Sequence, residues 1–99
     1  MKLLLIAAAA FAAFPVAAQD TASRNLAASC AICHGTEGRS TAKDSALIPL
    51  AGLPRDHIAT QMRAFREGKR PATVMHQIAK GYTDTQIDAL AGWFAAQKR

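Results

Sequence analysis

The run Cys30-Ala31-Ile32-Cys33-His34 constrains this chain more than any other part of its 99 residues. Two thiols three positions apart, with an imidazole directly after the second, fall at i, i+3 and i+4 on a helical turn. All three therefore address one side of that turn. Such an arrangement suits a flat ligand gripped along one edge: each thiol can add to a vinyl group of a porphyrin, and the imidazole can turn beneath its metal. C-x-x-C-H is the attachment pattern of c-type haem. The run is read as the site of one covalent haem c, with thioethers from Cys30 and Cys33 and His34 as the proximal iron ligand.

Other uses of two cysteines fit less well. A disulfide between Cys30 and Cys33 would close too short a loop to restrict the unfolded chain much, and small exported domains usually carry several bridges. A thioredoxin-like motif should follow a strand in a βαβ unit, and no period-2 pattern precedes Cys30. Zinc asks for four ligands, but His57 and His76 stand alone, without a second pair at finger spacing.

The amino-terminal segment reads as an export signal. Lys2 supplies a positive start, Leu3 to Phe14 is an unbroken apolar run of 12 residues, and Val16-Ala17-Ala18 places small residues at a cleavage point. That run is well short of the roughly 20 residues needed to span a bilayer. The expectation is a leader over 1–18, cleaved to leave a domain over 19–99, soluble in the periplasm with no stable membrane insertion. Losing Lys2 leaves 11 basic against 7 acidic residues, about +4 before haem propionates subtract from it. This weak positive balance suits an acidic partner face, and an exported chain without a recognition motif is no nucleic-acid binder.

Some 81 residues make one domain at most, and domains of this size struggle to bury enough apolar surface alone. A haem fixed by two thioethers can complete the core, which accords with abundant alanine and few aromatics. The signals are helical throughout. A first helix over about Thr21 to Cys33, capped by Asp20 or Thr21, turns Leu26, Ala27 and Cys30 to one face. A loop from Gly35 to Gly52 follows. A second helix runs from Pro54 to Glu67, stopped by Gly68, with Ile58, Met62 and Phe65 as its buried stripe. A short helical piece lies around Thr73 to Lys80. The last helix opens on a Thr83/Gln86 capping box with a Tyr82/Ile87 staple, buries Ile87, Leu90, Ala91 and Phe94, and ends near Lys98 and Arg99. Arg63, Arg66 and Arg70 could form a basic docking face if the second helix continued past Gly68; a merely solvated face is the plainer reading.

A sixth iron ligand must approach from the opposite side of the porphyrin. Met62, Met75, His57 and His76 are the candidates. Met62 falls on the second helix's apolar stripe and reads as core filler, and His57, beside Asp56, reads as surface. Met75 lies 41 positions after His34, beyond Pro71, where the chain can cross back. It is the favoured ligand. Thioether ligation opposite imidazole raises the reduction potential and favours electron transfer.

With CAICHG, Pro49, a central helix, the Met75 segment and Trp93-Phe94 in place, the mature sequence resembles a class I cytochrome c. That resemblance implies an all-α fold of about four helices wrapped around one covalent haem c, first and last helices packed together, and a proline carbonyl, here Pro49, accepting the proximal histidine's N–H. Ile48-Pro49-Leu50-Ala51-Gly52, Met62-Arg63-Ala64-Phe65 and the stretch from Arg70 to Asp84 are similar to the mono-haem cytochrome subunits of flavocytochrome c sulfide dehydrogenases. The resemblance implies an electron-transfer protein rather than an enzyme, accepting electrons from an FAD-containing partner that oxidises sulfide. The alternative is a free carrier serving a terminal oxidase or other redox proteins; a haem enzyme such as a peroxidase lacks a distal acid-base set.

Overall fold

The computed structural model describes residues 18–41 and 47–99, with Ala9 alone ahead of them. The leader before Ala18 otherwise lies outside the described residues. Among those described, every regular element is helical: α1 (Ala18–Ala28), α2 (Ala31–His34), a 3₁₀ turn (Thr36–Gly38), α3 (Arg55–Arg66), α4 (Met75–Ala79) and α5 (Asp84–Ala95).

The first helix differs from expectation at both ends. It is already helical at Ala18, the first described residue of this stretch and ahead of the expected caps; alanine and glutamine propagate a helix readily. It also stops before the cysteines. The Cys30 amide donates to Ala27 O, three residues back, which tightens the chain there. Ser29, a weak helix former, sits at this break with Oγ 3.3 Å from the Tyr82 hydroxyl. Helical geometry resumes at once, with Cys30 as the N-cap of α2, so one predicted helix is observed as two.

Helix α3 is bounded as its residue types require. Pro54 stands outside it as N-cap, in extended conformation, rather than in its first turn. At the other end the Gly68 amide donates to Phe65 O and the Lys69 amide to Ala64 O, the paired bonds of a Schellman motif. Gly68 adopts φ +73° to make them. In α5 the capping box is complete: the Gln86 amide donates to Thr83 Oγ1 at 3.2 Å, and the Thr83 amide to Gln86 Oε1 at 3.0 Å. Its far end departs from the reading. The helix closes at Ala95, and Lys98 and Arg99 lie beyond it; Lys98 O accepts from Arg39 Nε at 2.6 Å, and Arg99 reaches Gly52 O.

α5 packs against both α1 and α3, and α3 packs against α4. The core they share contains Ala27, Ile58, Ala59, Met62, Ala79, Ile87, Leu90, Ala91 and Phe94, all buried. The predicted stripes of α3 and α5 are the ones buried, with Phe65 half-buried at the margin. Alanine at 27, 59, 79 and 91 lets the helix backbones approach closely, at the cost of apolar area: burial yields roughly 25 cal/mol per Å², and alanine offers little of it.

A charged seam joins α3 to α5. Arg63 donates to Asp84 at 3.2 Å and to Asp88 at 2.7 Å, while Arg66 donates to Asp84 at 2.6 Å and to Tyr82 O at 3.3 Å. Arg70 lies 4.7 Å from the Phe65 ring centroid and bonds Gln61. These arginines are therefore an inter-helix fastening, neither a free docking face nor a simply solvated one, and α3 ends before Arg70 could join the row.

Hydrogen bonds first from Arg66 and then from Arg63 hold the Asp84 carboxyl below its usual 3.8. The folded state thus binds this proton less readily than the unfolded chain, so the stabilisation is complete above the ordinary value and is lost as pH falls through the lower, folded one. Thermal melts of the wild type and Asp84→Asn should differ at about pH 6 and converge as pH falls toward about 2. A gap that stays constant across that range would remove Asp84 from the pH response.

Candidate cofactor site

The site is built on the turn that joins α1 to α2. The His34 amide donates to Cys30 O at 2.8 Å and the Cys33 amide to the same oxygen at 3.2 Å. One turn of chain thus carries both thiols and the imidazole, as the i, i+3, i+4 spacing requires. Both cysteines are free; Cys33 is exposed and Cys30 half-buried against the core. Burial pushes the Cys30 thiol above its usual value, with the nearby Ser29 side chain partly opposing it.

His34 is held by its ring. Nδ1 lies 2.7 Å from Ile48 O, and since a carbonyl can only accept, Nδ1 carries the hydrogen, which in the neutral ring leaves Nε2 its lone pair. A metal-binding histidine is commonly oriented in this way, through a backbone oxygen that also raises its basicity. The acceptor is Ile48, one residue before the expected Pro49. Proline marks the bend, but the carbonyl that reaches the ring is set by the register of the loop. The turn and the segment after it enclose an open cleft of about 460 Å³ beside Ile32, Cys33, Thr36 and Arg39.

Met75 opens α4 and packs half-buried against the same core as Cys30. Met62 is 7% exposed inside that core, matching its reading as filler. His57 is exposed on the first turn of α3. His76 is half-buried, and its Nδ1 is sealed from solvent with no hydrogen-bond partner among the described residues. His76 shares the α4 face of fully buried Ala79, one turn on, which accounts for its partial burial.

The residues fit a haem. Among those described, the exposed large apolar side chains are Ile32 at 88%, Val74 at 52%, Ile48 at 44% and Ile78 at 42%. Two belong to the motif and the loop that holds His34, and two flank Met75. Apolar groups left facing water beside His34 and beside Met75 are what a large apolar plate would cover. No three His, Cys, Asp or Glu side chains gather among the described residues to hold a bare metal ion, and no described helix is long and apolar enough to cross a membrane.

Comparison with known proteins agrees. The chain is 42% identical over 86 residues to the cytochrome subunit of sulfide dehydrogenase of Chlorobaculum tepidum, covering 84% of this chain and 74% of that one. It is 41% identical to the thiosulfate dehydrogenase electron acceptor of Thiomonas intermedia, over 73% of this chain but 33% of the relative. To cytochrome c4 of Pseudomonas aeruginosa it is 32% identical, over 83% of this chain and 40% of the relative. It therefore spans most of the first relative and well under half of the other two. No protein-family model matches. The fold and the site define a haem-bearing electron-transfer protein. The chain belongs to the class I c-type cytochromes, carries covalent haem c, and moves electrons rather than catalysing a reaction of its own.

Proposed function

We propose that the chain is an exported mono-haem cytochrome, processed after Ala18 and working in the periplasm as the electron-accepting subunit of an FAD-containing sulfide dehydrogenase. Cys30 and Cys33 would hold the haem through thioethers, and His34 and Met75 would offer its iron a nitrogen and a sulfur. The observation that carries the subunit reading is the 42% identity to a sulfide dehydrogenase cytochrome subunit over three quarters of that relative's length. The apolar leader and the two-cysteine motif support export, because haem c attachment and such a leader belong to the same compartment.

Each residue has a task. The haem supplies a one-electron couple whose potential His/Met ligation raises. His34 presents Nε2 while Ile48 O holds Nδ1–H. Met75 offers a soft sulfur from a separate helix. Ile32, Ile48, Val74 and Ile78, exposed in this structure, would lie against the haem and shield it from water. The likeness to the thiosulfate dehydrogenase electron acceptor favours a second reading, a freely diffusing carrier for sulfur-compound dehydrogenases.

Three measurements bear on this. In a host competent for haem attachment, Cys30→Ala and Cys33→Ala should each lose one thioether, seen as a shifted pyridine haemochrome band and a weaker adduct by mass spectrometry; an unmodified wild-type mass would sink the haem assignment. Oxidised protein should show a weak near-infrared sulfur-to-iron band. Met75→Ala should abolish that band and lower the potential, whereas Met62→Ala should keep it and cost about 2–5 kcal/mol of stability. The reverse pattern would make Met62 the ligand. Finally, oxidised cytochrome at low sulfide should be reduced much faster with a sulfide dehydrogenase flavoprotein present than without it. Equal rates would leave the free carrier.

A further inference from the structure

The Ile48 carbonyl that holds His34 belongs to no helix or strand, so something else must fix it. Its nearest fixed points lie just downstream. The amides of Leu50 and Ala51 both donate to one acceptor, Gly38 O, at 2.8 and 3.1 Å. Gly38 stands four residues after His34, so the chain closes on itself: from His34 along the 3₁₀ turn to Gly38, across to Leu50, back to Ile48 and across again to His34. One residue, Pro49, separates the anchored Leu50 amide from the carbonyl at work.

Gly38 is shaped for this contact. It is buried at φ +77°, and a Cβ added there would lie 2.8 Å from Phe94 Cδ1 and 3.0 Å from both Ala51 N and Leu50 Cβ. Phe94 is 1% exposed in the core and has no room to retreat. The loop would have to give way, and Ile48 O would go with it.

We propose that Gly38 is the positioning residue of the proximal ligand: its carbonyl sets the register of the 48–51 loop, and through Ile48 it tunes the donor strength of His34. The proposal rests on His34 being the iron ligand. A hydrogen bond from Nδ1–H to a carbonyl makes the imidazole more basic and favours the more positive iron. Lengthening that bond raises the reduction potential.

The test uses haem-loaded wild type, Gly38→Ala and Gly68→Ala. Gly68 has φ +73° but nothing within 4 Å of an added Cβ, so its variant carries the backbone strain without the collision. Mass spectrometry first establishes the haem adduct, and nuclear magnetic resonance assigns the ring of His34 to the iron; failure at that stage counts against the haem reading and not against Gly38. Gly38→Ala should then shift the midpoint potential upward and speed exchange of the His34 Nδ1 proton. Gly68→Ala should melt lower yet keep the wild-type potential. A Gly38→Ala protein with wild-type potential and exchange overturns the proposal. If that variant does not accumulate with haem, wild-type exchange decides: protection of the Leu50 and Ala51 amides within about tenfold of the His34 ring proton supports one cooperative unit, and weaker protection of both amides overturns it.

Discussion

An imidazole that offers one nitrogen to a metal has only the other by which to be steadied. In His34, proposed above as such a ligand, the second nitrogen donates to the carbonyl of Ile48, 2.7 Å away, and the loop that bears that oxygen is fastened from several directions. Gly38 O holds the loop from the motif side through Leu50 and Ala51, while Phe94 O holds it from α5 through the Gly52 amide. Arg39 and Arg99 add bonds that bring the carboxyl-terminal residues onto the same loop. A segment without regular structure is thereby fastened to both the haem motif and the last helix.

The core is built to the same purpose. Its alanines bring α1, α3, α4 and α5 close but leave little apolar area in each contact, so a covalently fixed haem is the natural completion of a domain this small. The cost of attaching it is low, since two thioethers on one turn remove most of the freedom the haem would lose on binding. The α3–α5 seam contributes differently: Arg63 and Arg66 meet Asp84 and Asp88 at the surface, where screening by water keeps each pair modest. Its effect is to fix how two helices sit, and it leaves those arginines engaged rather than free for a partner.

What could be read from the sequence was what is local. The Thr83/Gln86 box and the stripes through Ile58 and Met62 or Ile87 and Phe94 depend on residue type at short separations, and the structure bears them out; the cysteine-histidine run likewise falls on one turn. What could not be read depends on register or on distant partners. Every residue has a carbonyl, so nothing in the composition separates Ile48 from Pro49 as the acceptor. Arg63 and Arg66 find their carboxylates on another helix, where periodicity along α3 gives no hint. The split between α1 and α2 has no glycine or proline to announce it. The carboxyl-terminal basic pair looked like a helix end because charge suits one, yet the chain had already left the helix at Ala95.

The fully enclosed alanines have one more consequence, for variation. Ala79 and Ala91 show no exposure at all, and alanine is already the smallest side chain with full helix propensity. Such a site can change in only two ways: to glycine, which loosens the helix, or to something larger, which wedges two helices apart. Ala79 lies on α4, which carries Met75, and Ala91 on α5, which carries Phe94, the neighbour of Gly38, so a wedge at either alanine would displace one of those side chains without touching it. These alanines act as shims, and the spacing they set can be disturbed by a single methyl group placed far from any functional atom.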